Sequence, residues 1–203
     1  GHMGLLSPIE SKLPETARPL YPAVKNWGQI ETANIGFGQG IAVSPLSFVT
    51  AAAEVVNGGR AITPTFLKQD SRDRRGAQLI SRETSLKMRD LLRYVVTNGS
   101  GKRADVEGYD VGGKTGSAQV PGPGGRYIPR ALRTSFFAVF PANKPRYAVF
   151  VLLDQPHGTK QTAGFALAGW TAAPIAGRVI QRIAPLLGVP DNAPPTRIAR
   201  EAP

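Results

Sequence analysis

Apolar and polar positions divide the chain into a patternless start and a periodic remainder. Residues 5–35 hold Pro8, Pro14, Pro19 and Pro22 and no sustained period, which predicts an irregular, partly extended connection with few regular elements. Beyond it, Leu46, Val49, Ala52, Ala53 and Val56 recur at helical spacing. Ser44 as N-cap and Pro45 at the first helical position fix the start of that helix, and Asn57-Gly58-Gly59 stops it. Ala61 to Lys68 predicts a short strand, which Pro64 confines to an edge or a brief pairing. A second helix is capped by Ser81 and carries Glu83 in its first turn, where the helix dipole favours a negative charge. Leu86, Leu91, Leu92, Val95 and Val96 form its apolar face, Gly99 ends it, and residues 99–110 read as a loop.

The rest predicts three strands and a helix. Val111–Val120 is the first strand, followed by the turn-forming run Pro121-Gly122-Pro123-Gly124-Gly125. Thr134–Phe140 and Arg146–Leu153 are short apolar runs, as expected of strands buried on both faces, and the turn at residues 142–145 joins them. Turns this short connect only antiparallel neighbours. After a loop over residues 154–164, a helix runs from about Ala172 to Leu187 with Pro174 in its first turn and Ile175, Val179, Ile180 and Ile183 as its buried stripe. The sum is an α+β fold, an antiparallel sheet flanked by helices.

Composition narrows the class. The chain has 203 residues, 41% apolar and 19% charged, as expected of one globular domain or most of one. Gly1-His2-Met3 reads as a tag scar, which leaves residues 4–188 as the domain and His157 as the only native histidine. The tail over residues 189–203, with four prolines, is expected to be disordered. No stretch approaches the ~18 apolar residues of a membrane span, and the chain as it stands is expected to be soluble. The absence of cysteine excludes disulfides and thiol nucleophiles. A net charge of +11 favours polyanions in general. Yet the basic residues are scattered, and the densest group, Lys68, Arg72, Arg74 and Arg75, is interleaved with Asp70 and Asp73, as in a solvated loop. With no aromatic platform beside it, nucleic acid is not an expected partner. His157 reads as a loop residue, Trp27 and Trp170 as packing residues and Asp154 as a loop cap. No cofactor or metal is implied.

Candidate chemistry concentrates in residues 108–118, which admit two readings. Gly108 to Thr115 satisfies the phosphate-loop pattern G-x-x-x-x-G-K-[ST], which works where a buried strand delivers the loop and a helix N-terminus receives it. The flanks oppose this. Lys102 to Glu107 is too polar for a buried strand, and Gly116 with the Pro121–Gly125 run leaves no room for a helix. The other reading places Lys114-Thr115-Gly116 on a strand at the edge of a cleft, as in the K-T-G element of penicillin-binding proteins and serine β-lactamases. Thr115 and Ser117 then share one side of the strand, where a substrate carboxylate accepts from both hydroxyls. Gly116 leaves the opposite face bare, and Gly112-Gly113 let a backbone or ligand approach closely. By itself K-T-G also fits a surface strand with a solvated lysine.

Across about residues 5–188 the chain resembles the transpeptidase domain of division-type class B penicillin-binding proteins. The landmarks are Leu13-Pro14-Glu15, Trp27, Ile30, the run Ile35-Gly36-Phe37-Gly38-Gln39-Gly40-Ile41-Ala42-Val43-Ser44-Pro45-Leu46, then Asn57-Gly58-Gly59, K-T-G, Gly125-Arg126-Tyr127 and Ala172-Ala173-Pro174. The long run is similar to the family's G-[FY]-G-x-G-x-x-V-[ST]-P-L signature. The resemblance implies the C-terminal portion of a β-lactamase/transpeptidase-like domain. It implies a serine-type D,D-transpeptidase that cross-links peptidoglycan stem peptides in septal wall synthesis, at the periplasmic face of the inner membrane. It also implies that Lys114 orients the catalytic serine, that Lys114, Thr115, Gly116 and Ser117 bind the substrate, and that the Ser117 backbone N–H is an oxyanion donor. Stem peptides, β-lactams and division-machinery proteins are the implied partners, with membrane contact only through an N-terminal anchor outside this chain.

Departures from the family pattern carry equal weight. Neither S-x-x-K nor S-x-N occurs in the sequence, and Ser117 stands where threonine is more frequent. The chain alone is therefore expected to be inactive. A non-catalytic module that binds division proteins or anionic glycan, and a phosphate-loop nucleotide site, stay as alternatives.

Overall fold

A computed structural model of the chain describes residues 3–68 and 76–192. Among the described residues, four α-helices and three strands follow in the order α1 (Gln29–Gly36), α2 (Pro45–Val56), α3 (Arg82–Asn98), β1 (Gly112–Pro121), β2 (Tyr127–Phe140), β3 (Tyr147–Asp154) and α4 (Ala172–Leu186). The strands form one antiparallel sheet in the order β1-β2-β3.

The middle strand organises the core. Residues Phe136 to Phe140 are all buried, and alternation sends Phe136, Ala138 and Phe140 to one face and Phe137 and Val139 to the other. The first face packs on Ala172, Ala173, Ala176, Ile180 and Ala184 of α4. The second meets Phe48, Ala52, Val55 and Val56 of α2. Helix α3 lies across the β1 edge and contributes Val96 to one cluster and Leu92 to the other. It is tied to α2 by Arg89, whose Nε donates to the Val56 carbonyl at 2.6 Å, where a cation suits the helix C-terminus. Desolvation, followed by the Arg82 charge, lowers the pKa of that guanidinium, against the opposing pull of Asp90.

The caps of α2 and α3 sit where the sequence places them. Ser44 Oγ accepts from the Ser47 amide at 3.1 Å, and Ser81 Oγ from the Thr84 amide at 3.0 Å. Ser44→Ala is expected to lower stability by about 1 kcal/mol, read as a shift in the denaturant midpoint at constant slope.

Other expectations need correction. Ala61 to Lys68 forms no strand: pairing is confined to the Arg60–Gln78 bridge and the Ala61 N–H to Ala77 carbonyl bond, and the Ile62 N–H turns away to the Glu54 carboxylate at 2.9 Å. Pro64, with no N–H, cannot extend the ladder. The helix α1 arises in a stretch read as irregular; it buries no residue, so no apolar stripe announces it. Strand β2 starts seven residues before Thr134, with Tyr127 to Arg130 exposed, and pairs with β1 there through Tyr127, Leu132 and Arg133. On β3, Leu152 is 44% exposed, so that strand is not buried on both faces. Leu86 and Leu91 of α3 are exposed, and the buried face runs through Ser85, Leu92 and Val96. In α4 the fully buried positions are mostly small, with Ile175 and Val179 only half-buried. The reason is close approach: a Cβ on Gly177 would stand 3.2 Å from Ala104 Cα and the Arg103 carbonyl. Val189 is buried and the Asn192 N–H donates to the Gly108 carbonyl, so the start of the tail is docked. Residues 193–203, with Arg72, Arg74 and Arg75, lie outside the described residues.

Candidate active site

Strand β1 delivers the residues singled out by sequence. It is an edge strand, paired through Lys114–Phe137, Thr115–Phe136, Gly116–Ser135 and Ser117–Thr134, and no described strand lies along its other side. Directly paired residues share a face. Thr115 and Ser117 therefore lie on the α4 side with Phe136 and Thr134, and Lys114 and Gly116 on the α2 side.

Each polar side chain has a defined partner. Lys114 is exposed, and its Nζ donates to the Thr115 carbonyl at 2.8 Å. The Thr115 hydroxyl lies 2.7 Å from the hydroxyl of Ser100, in the turn after α3. Ser117 Oγ accepts from the backbone N–H of Ala168, in the segment before α4, at 3.1 Å. The strand is thus bracketed on its hydroxyl face by two loops.

Lys114 and Thr115 are interior residues of a ten-residue strand, and a single three-residue 3₁₀ turn, Pro123–Gly125, follows it in place of an α-helix. The phosphate-loop reading fails on this geometry, because no helix N-terminus is available to hold phosphates.

The glycines around Lys114 have specific neighbours. A Cβ on Gly112 would stand 3.3 Å from the Arg93 backbone nitrogen, so α3 is the backbone that approaches there. At Gly113 the space is filled by the Phe136 ring and the Phe137 carbonyl, and not by a ligand. Gly116 is not bare: the Ser135 hydroxyl occupies the place of its missing side chain, 2.6 Å from an ideal Cβ.

Ser100, Ser135 and the Ala168 amide are the site neighbours that sequence reasoning missed. Ser100 and Ala168 lie in loops, where no periodicity points at a neighbour, and Ser135 sits inside an apolar run. Cavities of about 530 Å³ (Arg93, Asp105, Asp110) and about 310 Å³ (Ser47, Thr50, Glu54) lie away from Lys114. Trp170 packs between Phe165, at 5.1 Å between ring centroids, and the Arg103 guanidinium, 3.4 Å above its ring. Trp27 donates to the Pro22 carbonyl and meets Tyr21 edge-on. His157 is exposed, and Asp154 pairs with Arg133 across β3 and β2 at 2.9 Å.

Comparison with known proteins decides the family. The penicillin binding protein transpeptidase domain matches residues 2–179. The chain belongs to that family. This transpeptidase-domain chain is 42% identical over 197 residues to a probable peptidoglycan D,D-transpeptidase FtsI of Caulobacter vibrioides, covering 93% of the chain and 33% of the relative. Among solved structures, the transpeptidase domain of Burkholderia pseudomallei penicillin-binding protein 3 in its apo form superposes with a TM-score of 0.84 at 29% identity, covering 95% of the chain and 57% of that domain. A penicillin-binding protein 3 of Mycobacterium tuberculosis, complexed with ampicillin, gives a TM-score of 0.81 at 26% identity, with 96% and 46% covered. The α+β architecture is thus that of the transpeptidase domain, and the chain spans about a third of the length of its FtsI relative.

Proposed function

We propose that this chain is the C-terminal portion of a serine-type D,D-transpeptidase that cross-links peptidoglycan stem peptides in septal wall synthesis, with the nucleophile on residues outside it. The observation that carries this reading is the strand β1 at the sheet edge, bearing an exposed lysine on one face and two hydroxyls on the other. In this scheme a serine attacks the penultimate D-Ala carbonyl, D-Ala leaves, and the amine of a neighbouring stem resolves the acyl-enzyme. Lys114 orients that serine and draws in the terminal carboxylate. The Thr115 and Ser117 hydroxyls donate to the carboxylate, and the Ser117 N–H donates to the developing oxyanion. A β-lactam presents a carboxylate and an amide in similar geometry and occupies the same place.

In this reading the longer protein works at the periplasmic face of the inner membrane, held by an anchor outside this chain and acting with division-machinery partners. Among the described residues no helix is long and apolar enough to cross a membrane.

Fluorescent penicillin distinguishes the parts. The longer protein is expected to give a covalent band that excess ampicillin suppresses, and the 203-residue chain none. A band on the chain alone would place a nucleophile within it and overturn the division of labour; no band on the longer protein would overturn the transpeptidase reading.

A further inference from the structure

The two hydroxyls of β1 are held differently from ordinary surface hydroxyls, and the difference bears on what they offer a ligand. Ser117 Oγ accepts the Ala168 N–H, so its own proton cannot point that way and is left for another acceptor. Thr115 Oγ1 has the Ser100 hydroxyl at 2.7 Å, and one of the two must donate. If Thr115 donated to Ser100, an arriving carboxylate would face a lone pair on Thr115. If Ser100 donates, both strand hydroxyls are acceptor-filled from behind with protons free on the same strand face.

We infer that Ser100 is a positioning residue that donates to Thr115 and thereby commits the Thr115 proton to the substrate carboxylate, in parallel with the Ala168 amide behind Ser117. The inference rests on the transpeptidase reading of β1. Ser100 is held for this task from three sides. The Gly101 N–H donates to the Val95 carbonyl at 3.1 Å, which folds the turn back on the end of α3. Gly169 lies against the Ser100 carbonyl so closely that a Cβ there would stand 2.6 Å from the oxygen. Three residues on from Ser100, Arg103 covers the ring of Trp170, the residue next to Gly169. One packed unit thus carries Ser100 at one end and the Ala168 amide at the other. A hydroxyl that already accepts a hydrogen bond is a better donor, and the gain is largest toward a charged acceptor.

The test uses the longer protein that acylates with penicillin. Ser100→Ala, Ser100→Thr and Thr115→Val are compared by acylation rate with benzylpenicillin and with its methyl ester, which lacks the anionic acceptor. Ser100→Ala is expected to slow benzylpenicillin about tenfold, leave the ester rate and the Tm unchanged, and be rescued by Ser100→Thr. An unchanged benzylpenicillin rate in Ser100→Ala overturns the inference. Equal slowing on both compounds, or a parallel loss of Tm, makes Ser100 structural and overturns it as well. Thr115→Val separates the two levels: if it slows benzylpenicillin while Ser100→Ala does not, only the inference falls. If Thr115→Val has no effect, Thr115 is not a carboxylate ligand and the reading beneath falls with it.

Discussion

Lys114→Ala in the longer protein is expected to slow acylation by penicillin by about 10²–10³-fold, with no more than a small change in Tm. The size follows from the two tasks assigned to one ammonium, which are to orient the nucleophile and to attract the ligand carboxylate. Stability should hardly notice the change, because Lys114 is exposed and its Nζ donates to the adjacent Thr115 carbonyl, a contact at the surface. That bond is also cheap to break: an exposed hydrogen bond of this kind is worth on the order of 1 kcal/mol, less than the ammonium gains from a charged ligand. Lys114→Arg should recover only part of the rate, since a planar guanidinium cannot replace a compact ammonium at the same distance. Stopped-flow acylation alongside thermal unfolding separates the cases. A loss under threefold with Lys114→Ala would remove the lysine from the chemistry.

How far sequence could see depends on whether a residue's task is periodic. Ser44-Pro45, Ser81 and Gly99 mark helix ends by local chemistry, and the structure uses all of them. The second and third strands declare themselves by apolar runs and the first by the Pro- and Gly-rich turn that ends it, and their antiparallel order follows from turn length. Helix α1 has no such signal, because it buries nothing and is set by the Glu31 carboxylate accepting from the Gly28 N–H. The small-residue face of α4 reads as weakly apolar, although it is the best buried. Alanines and Gly177 gain burial from close approach, which no side-chain hydropathy records. At the site, the alternation that puts Thr115 and Ser117 on one side is a property of any strand. Their contacts with Ser100 and the Ala168 amide join residues 15 and 51 positions apart, and only the folded chain shows them.

Gly113→Ala is expected to destabilise the chain by about 3 kcal/mol, or roughly 6–12 °C in Tm. The site admits no side chain: an ideal Cβ would stand 2.5 Å from the Phe137 carbonyl oxygen and 2.6 Å from the Phe136 ring. Neither neighbour can yield. The carbonyl belongs to the central strand β2, and the ring is fully buried between β1 and the α4 layer. A methyl group there must push β1 outward or drive Phe136 off its rotamer, and both loosen the pairing that holds Lys114 and Thr115 in register. Gly36→Ala is the matched control, since nothing lies within 4 Å of that position and it ends a helix that buries nothing. It should be neutral within about 0.5 kcal/mol. Phe136→Leu shrinks the obstacle, so in the double variant the two costs should fall short of additivity by on the order of 1 kcal/mol, the mark of residues in direct contact. If Gly113→Ala instead unfolded together with Gly36→Ala, the strand would have slack at this point, and the tight seating of the lysine strand against Phe136 would be wrong.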